Sequence, residues 1–185
     1  MSKIELPQGE FSCPVPVVLV SCLDKDINKP NIITIAWCGV VCSNPPQLSI
    51  SIRPSRYSHK LIKDSGNFAI NIPTMEMIKK VDLCGVRSGK DTDKFELCGF
   101  TAMPSSKISS PIIEECPVNM ECGLKEIVKL GSHDMFIGEV LALHADEEIL
   151  KDGKIDLRMT KPFVYDQGKY WNLGVQIGYY GFSSK

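Results

Sequence analysis

The 185-residue chain carries 21 basic and 22 acidic residues, so its formal net charge of −1 gives no overall field to attract nucleic acid or anionic lipid. The length suits one domain over residues 1–185, large enough to bury a core without disulfides. The longest nearly unbroken apolar run, residues 32–42, is shorter than the roughly 18 residues that indicate a membrane-spanning helix. Nucleic-acid and membrane partners are therefore not expected, and any anion site must be local.

The N-terminal segment and the cysteines both point to a cytoplasmic protein. The opening residues MSKIELPQGEF lack the apolar core of a signal peptide, because Glu5, Pro7 and Gln8 interrupt it. The eight cysteines contain no C-x-x-C pair, and most lie among apolar neighbours, as in LVSCL and AWCGVVCS. We expect reduced thiols that pack as small apolar side chains rather than a metal site or a disulfide framework.

Six runs rich in valine and isoleucine predict β-strands, and several of them alternate apolar with small or polar residues. In chain order they are VPVVLVSCL, NIITIAW, QLSISIR, NFAINIP, VNMECGLKEIV and MFIGEVLALHA. Residues 28–31, 43–46 and 151–153 combine asparagine, proline, aspartate and glycine in patterns typical of turns. Many strands at short spacing predict a mainly β domain, a sandwich or a barrel.

Two short helical patterns lie between the strands. SHKLIKDSG begins with Ser58, a good N-cap residue, and ends at Gly66, which favours the left-handed conformation that terminates helices. TMEMIKKVDLCG has Thr74 at its start, apolar residues along one face, and Gly85 as its predicted end. We expect both to be short helices inserted into a β fold.

The segment RPSRYSHKLIK, residues 53–63, concentrates positive charge without an acidic residue. Pro54 pushes Arg53 toward extended backbone, so a strand is expected to end there and a helix to follow a tight turn. The free N–H groups of that helix, the hydroxyls of Ser55 and Ser58 and the guanidinium of Arg56 would suit a phosphate monoester. A solvated basic turn is the alternative explanation.

The preceding strand, IITIAWCG, offers Thr34, Trp37 and Gly39 along one stretch of chain. An aromatic side chain beside exposed backbone could contact a flat heterocycle next to the phosphate site. Trp37 could equally belong to the core, and Thr34 could be an ordinary strand residue.

These two segments are followed by SGKDTDKFE, GSHDMFIGEV and the aromatic-rich KPFVYDQGKYWNLG. In order and spacing the set resembles the flavin reductase-like proteins of the FMN-binding split-barrel fold, most closely the flavoredoxin branch, over nearly the whole chain. The resemblance implies a mainly β, Greek-key barrel with a few short helices. It also implies non-covalent FMN and a homodimer whose flavin lies near the subunit interface.

The resemblance further implies roles by position. The residues expected to flank the isoalloxazine ring are Asn31, Thr34, Ile35, Ala36 and Trp37. Those expected around the ribityl phosphate are Arg53, Ser55, Arg56, Tyr57 and Ser58. Lys94 and His133 would approach the ring or the phosphate, with Asn71 and Phe163 nearby, and the residues implied to be catalytic are His133, Trp37 and Lys94.

Simple chemistry supports two of these roles and supplies an alternative to each. A fixed cation at Lys94 would favour the reduced, anionic flavin, but Asp91 and Asp93 beside it also fit a surface lysine in a charged loop. His133 precedes an apolar strand, where its ring could face a pocket and titrate near neutrality, or could simply bond a neighbouring carbonyl. A redox part for Cys38 stays open.

The sequence holds neither a G-x-G-x-x-G fingerprint after a strand nor a phosphate-binding loop of the Walker type. A donor such as NADH or NADPH would therefore stack transiently over the flavin, and the sequence does not separate the two. Three functions follow: an NAD(P)H-dependent flavin reductase, a flavoredoxin-like electron carrier for redox protein partners, and a non-redox module for phosphorylated ligands. The electron acceptor is expected to be a flavin, a metal ion or a protein, and the sequence does not decide among them.

Overall fold

The computed structural model describes residues 2–10 and 12–184. The strands are β1 (Val15–Pro16), β2 (Val18–Asp24), β3 (Lys29–Ile35), β4 (Cys38–Ser43), β5 (Pro46–Ile52), β6 (Asn67–Ile72), β7 (Ala102–Met103), β8 (Ile112–Ile113), β9 (Val118–Lys129), β10 (Asp134–Ala145), β11 (Leu150–Lys151), β12 (Lys154–Ile155), β13 (Phe163–Asp166) and β14 (Lys169–Asn172). The α-helices are α1 (Tyr57–Ser65), α2 (Ile78–Val86), α3 (Lys94–Cys98) and α4 (Leu157–Thr160). Short 3₁₀ turns occupy Gln8–Glu10, Met75–Met77, Glu147–Ile149 and Phe182–Ser184. No helix in these ranges combines the length and apolarity needed to cross a membrane.

Seven antiparallel strands form one sheet in the order β3-β2-β6-β9-β10-β5-β4. The two edge strands, β3 and β4, are joined by Ala36 and Trp37 alone. A two-residue connection between opposite edges is possible only because the sheet curls until those edges meet, which closes a barrel. Val20, Phe68 and Phe136 are fully buried inside it. The predicted mainly β barrel is confirmed.

A second core lies outside the barrel, between β2–β3, the helices α2 and α3, and the small sheet β1-β13-β14. Leu19 and Ile32 point into this core, whereas their neighbours Val20 and Ile33 point into the barrel. Because β2 and β3 are covered on both faces, their sequences are nearly continuous apolar runs. The six predicted strands are all present.

The predicted helix ends are wrong in two places. The helix α1 begins one residue before Ser58, and Arg56 takes the N-cap position with extended backbone (φ −79°, ψ 135°). Ser58 is buried instead and accepts a hydrogen bond from Asn31 Nδ2 at 2.7 Å. At the other end, Gly66 adopts φ 71°, the left-handed conformation that was predicted.

Gly85 was predicted to end the second helix, but α2 continues through Val86 and is capped by Arg87. A Cβ atom at Gly85 would lie 3.3 Å from the Cβ of Thr34, tighter than most side-chain contacts. The glycine therefore permits close packing of α2 on β3 rather than terminating the helix.

The eight cysteines are all free thiols. Cys22 and Cys122 pack in the barrel core, and Cys84, Cys98 and Cys116 pack in the second core. The Sγ atoms of Cys84 and Cys98 lie 3.6 Å apart without a covalent bond. Within residues 2–10 and 12–184, no cluster of histidine, cysteine and acidic side chains is arranged to hold a metal ion.

Glu121 on β9 is a fully buried carboxylate that ties a loop to the sheet. It accepts hydrogen bonds from the Ser106 N–H at 2.8 Å, the Lys107 N–H at 2.6 Å and His144 Nε2 at 2.6 Å. Burial alone would raise its pKa, but the donors from Ser106, His144 and Lys107 outweigh it and hold the pKa at about 2. The charged form is therefore the one that stabilises the fold.

Replacing Glu121 with Gln should lower the free energy of unfolding by about 3 kcal/mol, because the amide leaves two backbone donors without an anionic acceptor. The matched control is Glu126→Gln, an exposed position on the same strand. Because the native pKa lies below the ordinary value of about 4.3, the advantage of the wild type is complete above that pH and shrinks as the pH falls toward 2. Urea denaturation at several pH values measures it, and equal stability of the two variants at pH 7 would contradict the role of Glu121.

Candidate functional site

A cavity of about 560 Å³ opens between the barrel and the second sheet. The barrel contributes the end of β3 and its connection to β4, the end of β5, and His133. The opposite wall comes from Asp82, Gly85 and Val86 of α2 and from the β13–β14 hairpin with Tyr165 and Tyr170. The volume lies in the range of about 300–1,000 Å³ typical of small-molecule sites.

Aromatic rings line one end of this cavity. The ring of Trp37 lies parallel to the imidazole of His133, with an interplanar angle of 3° and centroids 6.0 Å apart, and it is tilted against Tyr165 at 6.1 Å. Trp37 is 46% exposed, so it is a wall residue rather than a core residue. Thr34 donates a hydrogen bond to the carbonyl of Val81, which fixes α2 against β3 beneath the cavity. These surfaces suit a flat aromatic ligand.

Strand register brings four side chains to one face near these rings. Ile52 pairs with Asp134 in the β5–β10 ladder, which places Arg53 opposite His133. The N–H of Ser51 donates to the carbonyl of Trp37 at 2.9 Å, so Trp37 lies beside the same stretch of β5. Trp37, Ser51, Arg53 and His133 all line the cavity.

The surroundings of His133 favour its neutral form. Burial lowers its pKa, and the positive charge of Arg53 lowers it further. The Nδ1 atom of His133 lies 2.9 Å from the Ser132 hydroxyl, so a side chain holds the imidazole. The alternative prediction of a bond to a neighbouring carbonyl is wrong. A neutral imidazole at a cavity wall can take up a proton at its unprotonated ring nitrogen, and the imidazolium formed can release it again.

Arg56 adds positive charge to the cavity. Arg56 lines it and sits at the N-cap of α1, where its side chain makes no capping hydrogen bond. The backbone N–H of Arg56 donates to the Arg53 carbonyl at 2.9 Å, which closes the tight turn predicted around Pro54. The first N–H groups of α1 and a guanidinium therefore meet at one place, and both favour an anion.

Asn31, Ser58 and Lys94 are buried just behind the wall and do not line the cavity. Lys94 Nζ donates to the carbonyls of Cys84 at 2.9 Å and Arg87 at 3.1 Å, so it caps the C-terminal end of α2. Burial lowers the pKa of Lys94. Because the side chain is buried, the alternative of a surface lysine in a charged loop is wrong. Its predicted approach to a flavin stays a prediction.

Gly89, in the loop before α3, contacts this buried group. A Cβ atom there would lie 1.8 Å from Asn31 Oδ1, so only glycine fits. The loop thereby presses on Asn31, which in turn bonds Ser58 at the first turn of α1. The sequence did not single out Gly89.

The structure places four other predicted residues away from the cavity wall. Tyr57 donates a hydrogen bond to the carboxylate of Asp24, and Ser55 is exposed on the turn. Phe163 is buried in the second core, edge-on to Tyr170. Asn71 is buried and acts as a structural bracket, since it donates to the Leu19 carbonyl at 3.0 Å and accepts from the Ile113 N–H at 3.0 Å. Direct contacts of these residues with a ligand stay predictions.

Sequence reasoning missed Asp82, Tyr165 and Tyr170 in the opposite wall. The Tyr170 hydroxyl donates to Asp82 Oδ1 at 3.0 Å, and burial together with this carboxylate raises the pKa of Tyr170 to about 12. Both tyrosines lie in the aromatic-rich segment KPFVYDQGKYWNLG, which also contains the predicted Phe163, and this segment was the sequence signal for them.

Cys38 follows Trp37 but is half-buried against the barrel core. Burial raises its pKa to about 11, so it is a protonated thiol at neutral pH. Its role in the structure is packing.

Comparison with known proteins agrees with this geometry. The model of the flavin reductase like domain matches residues 11–174. An uncharacterized protein of Archaeoglobus fulgidus is 39% identical over 149 residues, which cover 80% of this chain and 81% of that protein. Two solved structures, flavoredoxin of Desulfovibrio vulgaris and flavoredoxin from Methanosarcina acetivorans, superpose with TM-scores of 0.92 and 0.90, each at 30% identity and over 100% of both chains. The chain belongs to the flavin reductase-like family of split-barrel proteins.

Proposed function

We propose that this chain binds FMN in the cavity and is a flavin-dependent oxidoreductase. One observation carries the proposal: a single cavity is lined both by Arg56, at the N-terminus of α1, and by the parallel rings of Trp37 and His133. FMN has the matching shape, a phosphate monoester joined by a ribityl chain to a flat ring. In the described part of the chain, Arg56 has no ion pair that would compete for its charge.

Bound FMN would supply the redox chemistry, taking a hydride or electrons from a donor and passing them to an acceptor. Arg56 and the first turn of α1 would hold the phosphate, supported by Ser55 and by the buried Ser58. Residues 34–36 would supply backbone along one edge of the ring, and Trp37 would pack against it. Neutral His133 would hold or move a proton at Nε2 beside the ring.

Lys94 and Asn31 are buried behind the cavity wall and would act on the flavin indirectly. The ammonium of Lys94 fixes the end of α2 that carries Gly85 and Val86, both of which line the cavity. Its positive charge, held in a buried place, would favour the reduced flavin over the oxidised one. Asn31 would hold Ser58 in place for the phosphate.

The donor we propose is NADH or NADPH, stacking from the open side of the cavity. Full-length similarity to two flavoredoxins favours a second candidate, an electron carrier that reacts with redox protein partners and not with a nicotinamide. Steady oxidation of NADH or NADPH by the FMN-loaded protein distinguishes the first from the second. A protein that binds phosphorylated ligands but no flavin would support the third, non-redox function.

Replacing Arg56 with Ala should weaken FMN binding far more than riboflavin binding, because riboflavin has the same ring and ribityl chain without the phosphate. Charge-assisted hydrogen bonds contribute about 1.5–3 kcal/mol, so the dissociation constant for FMN should rise about tenfold to a hundredfold. Flavin fluorescence quenching measures both ligands.

The matched control for this experiment is Lys60→Ala, which removes an exposed cation of the same segment that pairs with Asp64 at 2.8 Å. It should leave the preference for FMN unchanged. Equal weakening of FMN and riboflavin by Arg56→Ala would show that this turn does not hold the phosphate.

We also infer a homodimer from the aromatic, nearly uncharged C-terminal segment WNLGVQIGYYGF, residues 171–182. Val175 is 87% exposed, Ile177 is 96% exposed and Tyr180 is fully exposed. Apolar side chains that stand clear of their own subunit in one contiguous segment are typical of an interface between proteins. A second copy of the chain would cover them.

Replacing Ile177 with Asp should raise the dimer dissociation constant by at least about tenfold, since burial of one large apolar side chain is worth about 1.5–3 kcal/mol. The control is Ile27→Asp, at a 65% exposed position in the β2–β3 turn. Light scattering over a concentration series measures the state. A wild-type monomer that still binds FMN tightly would contradict the proposed dimer.

A further inference from the structure

Resting on the function proposed above, we propose that the two arginines of the cavity bind two different anions: Arg56 the flavin phosphate, and Arg53 the pyrophosphate of a nicotinamide dinucleotide donor. This departs from the expectation that both surround the ribityl phosphate. The proposal gives the donor a binding site in a chain that has no Rossmann fingerprint.

The first observation is the position of Arg53. It follows the last residue of β5, one position beyond the Ile52–Asp134 pair that ends the β5–β10 ladder, and His133 immediately precedes β10. The ring of His133 in turn lies parallel to that of Trp37. Arg53 therefore belongs to the part of the cavity that carries the rings, and its side chain is exposed.

The second observation is the different surroundings of Arg56. It lies three residues later, beyond the Pro54 turn, at the N-cap of α1. Burial is the main cause of the lowered pKa of Lys94, and the positive charge of Arg56 adds to it. The charge of Arg53 instead contributes to the lowered pKa of His133. The two guanidinium groups therefore have different titratable neighbours.

The third observation is that the positive charge of Arg53 remains available once Arg56 holds a flavin phosphate. Arg56 and the N–H groups of α1 provide donors enough for one phosphate monoester. Neither arginine forms an ion pair within residues 2–10 and 12–184. The acidic residue of the cavity wall, Asp82, already accepts a hydrogen bond from Tyr170 of the same wall. Arg53 therefore presents an exposed cation without an ion pair to the cavity.

The chemistry of the donor matches this cation. A nicotinamide ring stacked at the Trp37 and His133 end would leave its pyrophosphate outside the flavin site, without the glycine-rich loop that holds it in Rossmann proteins. A guanidinium can bind two phosphate oxygens at once through its planar fork, which an ammonium cannot do. Arg53 is the group in place to do so.

The experiment compares Arg53→Ala and Arg53→Lys with the wild type, each loaded with FMN under anaerobic conditions. Two hydride donors are used: NADH, and 1-benzyl-1,4-dihydronicotinamide, which has the same reactive ring but no phosphate. Arg53→Ala should raise the apparent dissociation constant for NADH about tenfold or more and leave that for the uncharged donor unchanged. Dissociation constants and not rates are compared, because the charge of Arg53 also acts on His133 and its loss can change the rate with both donors. The dissociation constant of Arg53→Lys for NADH should lie between those of the wild type and Arg53→Ala, because lysine keeps the positive charge but lacks the planar guanidinium.

A second readout is independent of turnover. The ratio of FMN to riboflavin affinity, measured by fluorescence quenching, should be the same in Arg53→Ala as in the wild type, whereas Arg56→Ala should lose it. Loss of that ratio in Arg53→Ala would overturn the division of roles, and so would an equal effect on the two donors or no effect on either. A wild type that binds FMN but is not reduced by NADH would overturn the donor site alone, while failure to bind FMN would overturn the proposed function itself.

Discussion

The cavity depends on one hydrogen bond, from His59 Nε2 on α1 to Asp134 Oδ2 on β10, at 2.8 Å and with both side chains largely buried. Asp134 also pairs with Ile52 at the end of β5. The helix after the basic turn, the strand before it and the strand that follows His133 are therefore fixed to one another. Phe136 packs edge-on against His59 and shields the bond from water. Arg56, which precedes α1, and His133, which precedes β10, are held relative to each other by this contact.

Much of the fold could be predicted, because the strands are apolar runs of characteristic length and the turns contain residues that interrupt strands. Closure of the barrel could not be read from those runs. It follows from which strands lie at the edges and from the two-residue link between β3 and β4, and pairing order is not a local property. The predictions of two helix ends were wrong for a related reason. Ser58 and Gly85 are typical capping residues, but in the fold Ser58 bonds Asn31 and Gly85 packs against Thr34.

The candidate site was partly predictable. Trp37, Arg56 and His133 stand out as an aromatic, a cation and a titratable group next to strand ends, and all three line the cavity. The burial of Lys94 could not be foreseen, because its neighbours in sequence are acidic while its neighbours in space are the carbonyls that end α2. Tyr165 and Tyr170 were missed because they reach the cavity from a separate sheet, β1-β13-β14.

The central claim is that this cavity holds FMN. The most direct measurement is the absorption spectrum of the purified protein, followed by chromatography of the chromophore released on denaturation. The account predicts the visible bands of oxidised flavin, and a released chromophore that runs with FMN in a ratio near one per chain. A colourless protein that acquires no visible absorbance after incubation with FMN and gel filtration would contradict it.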